Sequence, residues 1–70
     1  MEQFLKNFCE VLELETPPSS DKLLSEIGEW DSLAIVTFVA MADLKYKKTI
    51  ELSEIEKAAT VSDLYMLVQN

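Results

Sequence analysis

The sequence predicts an all-α fold, a small four-helix bundle of three main helices plus one short helix with a long first loop. Three observations carry this. Apolar residues recur at helical spacing in several stretches. One Gly and two Pro are the only strong breakers in 70 residues, so long ordered elements are allowed. Ser53 and Thr60 each stand three residues before an acid, Glu56 and Asp63, the arrangement of a helix-start capping box.

The first helix is expected over residues 2–14. Phe4, Leu5, Phe8, Val11 and Leu12 form its apolar side, and Glu2, Lys6, Asn7, Glu10 and Glu13 the polar one. The segment Thr16-Pro17-Pro18-Ser19-Ser20 should end it, because proline cannot continue the hydrogen-bond ladder. The long connection over 20–31 carries Leu23, Leu24, Ile27 and Trp30 as anchors, so a short helical turn should dock there, with Gly28 as its left-handed stop. Residues 32–46 contain β-branched Ile35, Val36, Thr37 and Val39. Their length without Gly or Pro still favours a helix over a strand. Two short helices should follow, the last carrying Val61, Leu64, Leu67 and Val68 as its stripe.

A chain of this length holds one core, and a single domain is expected over 1–70. With one Cys no internal disulfide forms, so the fold rests on packing with a thin margin. Cys9 falls on the buried side of the first helix.

Six Lys and no Arg face thirteen Asp and Glu, a net charge of −7. That argues against nucleic acid and suits docking on basic surfaces. The Glu13, Glu15, Glu51, Glu54 and Glu56 carboxylates read as solvated faces. There is no His, which removes Ser-His and Cys-His nucleophiles and His-based zinc sites. No glycine-rich phosphate loop and no calcium loop is present. The chain is therefore not expected to be an enzyme, and no metal site is expected. The N-terminus lacks the basic-then-apolar order of a signal peptide, and the longest apolar stretch, 33–42, is too short to span a bilayer. A cytoplasmic monomer is the expectation.

Asp31-Ser32-Leu33 sits where a loop meets a helix. The first turn of a helix has unpaired N–H groups and partial positive charge, which favour an anion. A Ser hydroxyl there is exposed, Leu33 should bury itself and hold it outward, and Asp31 can cap the helix. Taken alone, such a tripeptide is an ordinary helix start.

The wider context resembles the acyl carrier protein family over nearly the whole chain. Glu29-Trp30-Asp31-Ser32-Leu33 is similar to its attachment motif, which centres on Asp-Ser-Leu. Ile50-Glu51-Leu52-Ser53 and Glu56 through Leu64 resemble its third helix and the Thr-Val turn into its fourth, at the matching separation. The resemblance implies a 4′-phosphopantetheine arm, taken from coenzyme A, on Ser32. Asp31 would cap the helix and help a phosphopantetheinyl transferase hold magnesium during modification. Cargo would ride as a thioester and be presented to partners: a loading ligase for acyl or aminoacyl groups, then transferases or synthases. The arm's effect is to raise effective concentration at each one. In the family the first loop and second helix form the docking surface.

The second helix departs from the fatty acid carriers, which usually bear several acids there. Ala34 stands where an acid is common, and no charge occurs from Ser32 to Ala42. This points to a dedicated pathway. If Leu33, Val36 and Ala40 face the core, Ala34, Thr37 and Met41 form a partly apolar docking patch, with Trp30 as a loop anchor beside the arm. Packing under the first loop and an internal acyl pocket are the other uses for this apolar excess. The rival function is an unmodified acidic helical interaction module of the same fold, in which Ser32 is only a helix cap.

Overall fold

Phe4, Phe8 and Leu12 recur every fourth residue along α1 (Glu2–Leu12), and all three are buried. The computed structural model describes residues 1–69, so Asn70, the last position of the expected domain, lies outside the described residues. After α1 come a 3₁₀ turn (Leu24–Glu26), α2 (Ser32–Tyr46), α3 (Leu52–Lys57) and α4 (Val61–Val68). The architecture is all-α, with a long first loop, as expected.

Helix α1 ends sooner than the prolines require. Glu13 turns left-handed at φ 56°, and its N–H returns to the Cys9 and Glu10 carbonyls. The Leu14 N–H also reaches Cys9 O, at 3.0 Å. Helix α2 ends the same way at Lys47, φ 58°. Gly28, expected to serve as a left-handed stop, has no positive φ. The two left-handed stops therefore fall on residues with a Cβ, each costing roughly 1 kcal/mol against glycine.

The core is an aromatic cluster with aliphatic edges. Phe38 of α2 meets Phe4 and Phe8 of α1 edge-on, at 6.2 Å between ring centroids in both cases. Tyr65 of α4 closes on Phe4 at 5.2 Å. Ile50, Ile55, Val61, Leu64 and Val68 complete the buried set from the C-terminal side.

The long loop is tied to the start of α4. Leu24 N–H donates to Ala59 O at 2.9 Å, Val61 N–H to Lys22 O at 3.1 Å, and Ser62 N–H to Ser20 O at 2.7 Å. Leu23 and Thr60 form an isolated antiparallel bridge at the centre of this tie. Two first-turn amides of α4 thus find their partners in the loop rather than in a side chain. The Thr60 box supplies the next. Thr60 Oγ1 accepts from Asp63 N–H at 3.2 Å, while Asp63 Oδ2 accepts from Thr60 N–H at 3.1 Å. The expected Ser53 box does not form. Helix α3 is instead capped two residues earlier, at Glu51, with Glu54 Oε1 accepting from Glu51 N–H at 3.2 Å.

Two residues change sides relative to the sequence reading. Asn7, placed on the polar face of α1, is only 4% exposed. Its amide donates to the Tyr46 hydroxyl at 3.0 Å and accepts from Gln3 at 3.2 Å and Lys45 at 3.3 Å, so burial leaves it satisfied. Leu23, expected to anchor the loop, is exposed, and Leu24, Ile27 and Trp30 hold the loop instead.

Candidate functional site: the start of the second helix

Trp30 sets the approach to α2. It is half-buried, and its ring lies 5.5 Å from Phe8 and 5.8 Å from Phe38, spanning both long helices. The anchor role read from its large apolar area is what the structure has. The Trp30 N–H bonds Ile27 O at 3.0 Å, which fixes the last turn of loop before the helix.

Asp31 then caps α2. Its backbone is extended and its Oδ1 accepts from Ala34 N–H at 2.9 Å. Its carbonyl accepts the first ladder bond, from Ile35 N–H at 2.9 Å. Ser32 is consequently the first helical residue and is exposed. Its hydroxyl makes no hydrogen bond to another described residue, and neither do the N–H groups of Ser32 and Leu33. The capping role weighed for Ser32 belongs to Asp31.

The phase of α2 is opposite to the one expected. Leu33, Val36 and Ala40 face outward, with Leu33 74% and Val36 65% exposed. Ala34, Phe38, Met41 and Ala42 face the core. A helix apolar on every side does not declare its inner face by periodicity. Bulk decides here: Phe38 buries the most area, and Ala34 and Ala42 beside it let the neighbouring chain come close. Ala34 and Met41 are therefore core residues and supply no docking surface. Of the three patch residues only Thr37 is exposed, and its hydroxyl donates to Leu33 O at 3.0 Å. Leu33 stands beside the serine as a solvent-facing side chain rather than a buried prop.

An open cleft of about 430 Å³ lies beside Ser32, between the end of α1 and the start of α2. Its walls include Val11, Leu12, Leu33, Ala34 and Thr37, and its carboxylates come from Glu10, Glu13, Glu29 and Asp31. This is an open, acid-rimmed space, unlike the internal acyl pocket considered from sequence. Among the described residues no group of His, Cys, Asp and Glu is arranged to hold a metal ion. Cys9 is buried and free, its thiol donating to Leu14 O at 3.0 Å.

A family model described as "Phosphopantetheine attachment site" matches residues 2–68. The chain belongs to this family. It is a non-catalytic carrier of the acyl carrier type, bearing 4′-phosphopantetheine derived from coenzyme A and presenting thioester intermediates to partner enzymes. Phosphopantetheinyl transferases and pathway enzymes are the general partners of such carriers. No similar curated protein and no similar solved structure was found.

The start of α2 fits a phosphodiester. Two unpaired N–H groups and the positive helix end stand at the residue that offers a free hydroxyl. The Asp31 carboxylate opposes a second negative charge there, and its bond to Ala34 N–H offsets part of that repulsion by engaging one of its oxygens. When bound, the arm supplies a thiol on which cargo is held as a thioester. No helix among the described residues is long and apolar enough to cross a membrane.

Proposed function

We propose that Ser32 is the serine that takes the arm, with Asp31 and Leu33 forming its immediate frame, in one carrier domain spanning 1–70. One observation carries this reading. Ser32 is exposed and its hydroxyl has no hydrogen bond to another described residue, because Asp31 already caps the helix. A serine kept for capping would hold an N–H; this one is left free to react. The Ser32 oxygen gives up its proton as it bonds to phosphorus, and the pyrophosphate link of coenzyme A breaks.

The partners proposed are a phosphopantetheinyl transferase, a loading ligase for acyl or aminoacyl cargo, and downstream transferases or synthases of a dedicated pathway in the cytoplasm. The uncharged run from Ser32 to Ala42 supports a dedicated pathway over one whose enzymes read an acidic second helix.

Intact-mass measurement after incubation with a phosphopantetheinyl transferase, magnesium and coenzyme A tests the assignment. The wild type is expected to gain one phosphopantetheine group and Ser32→Ala none. A gain retained by Ser32→Ala would move the site to another serine. No gain by the wild type with several transferases would leave the unmodified interaction module as the better account.

A further inference from the structure

Helix α2 offers two apolar sides to the core. Ala34, Phe38, Met41 and Ala42 face inward, while Leu33, Val36, Ala40 and Leu44 face solvent. At about 100° of turn per residue, the two sets lie on nearly opposite sides of the helix. They carry nearly the same amount of apolar matter: two leucines, a valine and an alanine against a phenylalanine, a methionine and two alanines. Burial has no direction, so it rewards either rotation. Phe38 favours the observed one through its edge-on contacts with Phe4, Phe8 and Trp30. The opposite one would cover Leu33, Val36 and Leu44, now 74%, 65% and 73% exposed. A chain with two such packings needs an interaction that only one of them permits.

We propose that Asn7 supplies it, as a lock on the rotation of α2. Asn7 lies in the middle of α1 and is 4% exposed. Its Nδ2 donates to the Tyr46 hydroxyl at 3.0 Å, and its Oδ1 accepts from Lys45 Nζ at 3.3 Å and from Gln3 Nε2 at 3.2 Å. Gln3 belongs to α1 itself, whereas Lys45 and Tyr46 are the last two residues of α2. Both bonds that leave α1 therefore end on one side of one helix. Turning α2 to its other side carries Lys45 and Tyr46 away and strands the Asn7 amide in the core with Gln3 alone. In the observed packing no buried side-chain polar atom of the described residues lacks a partner. A hydrogen bond has the direction that burial lacks, so one buried amide can choose between packings of like apolar content. The choice reaches Ser32, the first residue of α2. In the observed rotation Leu33 and Val36 flank its hydroxyl at the surface; in the other, Ala34 and Phe38 would come out. The lock acts whether or not Ser32 carries the arm.

The test is NMR relaxation dispersion on the full chain, which reads exchange on the microsecond-to-millisecond scale. Wild-type amides over 33–44 should give flat profiles. Asn7→Leu puts an apolar group of similar size in place of the amide and removes all three bonds. Its α2 amides are expected to exchange with a second state populated to roughly 1–10%. Tyr46→Phe keeps the ring and drops the hydroxyl, and should show the same exchange at lower amplitude. Adding Val36→Glu to Asn7→Leu should flatten the profiles again, because the opposite rotation would then bury a carboxylate. Val36 is solvent-facing, so the added charge leaves the observed packing in place. Flat profiles in Asn7→Leu, or in Tyr46→Phe should Asn7→Leu fail to fold, overturn the lock. Wild-type exchange as strong as that of the variants overturns it too. So does exchange that survives Val36→Glu, which would mark a general loosening of the core rather than a turned helix.

Discussion

Asp31 caps α2 by holding the Ala34 N–H, a task that a serine can also perform at a helix start, and the Ser32 hydroxyl is spared it. Two roles for the aspartate can therefore be separated. Asn caps about as well as Asp, whereas Ala costs about 1 kcal/mol at such a position. Asp31→Ala is therefore expected to lower unfolding free energy by about 1 kcal/mol in urea melts, and Asp31→Asn to lower it by much less. If the carboxylate also binds magnesium with the transferase, Asp31→Asn should be modified slowly despite its stable fold, a difference that intact mass against time would show. Equal modification rates for Asp31→Asn and wild type would confine Asp31 to capping.

The start of α4 is the element whose sequence and structure agree best. Thr60 and Asp63 were legible as a box because both partners lie within one turn. What sequence could not show is that the first loop supplies the neighbouring bonds, from Lys22 O and Ser20 O, since nothing local links those residues to Val61 and Ser62. The Asp63 carboxylate accepts from the Ala59 and Thr60 N–H groups, and these bonds, Ala59 first, hold its pKa below the ordinary 3.8. A depressed pKa stabilises the fold above the unfolded value and loses that contribution as pH falls through the folded one. Asp63→Asn should melt below the wild type at neutral pH, and the gap should close as pH drops below about 3.8. A gap that stays constant down to strong acid would show that the charge contributes nothing.

Helix α2 marks where sequence reading stops at this scale. Its ends were read correctly at Ser32 and Tyr46. Its rotation was not, because apolar residues on every side erase the periodic signal. The error reached the candidate site directly: Ala34 and Met41 went inside and Leu33, Val36 and Ala40 came out. Asn7 was misplaced for a related reason, since its partners Tyr46 and Lys45 are far away in sequence.

Across the whole molecule the acids outnumber the Lys residues by more than two to one. Among the described residues one ion pair is formed, Lys22 with Glu26 at 3.9 Å, and both partners are well exposed. Such a pair contributes little. Self-repulsion is then the main electrostatic influence on the fold, and salt should screen it. The melting temperature is expected to rise between about 20 and 500 mM NaCl, as followed by calorimetry. A fall would mean that attractive pairs, rather than repulsion, dominate. The aromatic core must hold the bundle against this repulsion without a disulfide.

The left-handed stops at Glu13 and Lys47 bear on how this chain tolerates change. Its one glycine, Gly28, sits where the backbone asks for no special conformation and a Cβ would meet open space. The two positions that favour glycine do not have it. Moving the residue types, with Ala at 28 and Gly at 47, would trim the freedom of the unfolded chain at one place and relieve strain at the other. Neither change touches Ser32 or the outward face of α2. The scaffold therefore holds a latent reserve of robustness, open to drift or to engineering.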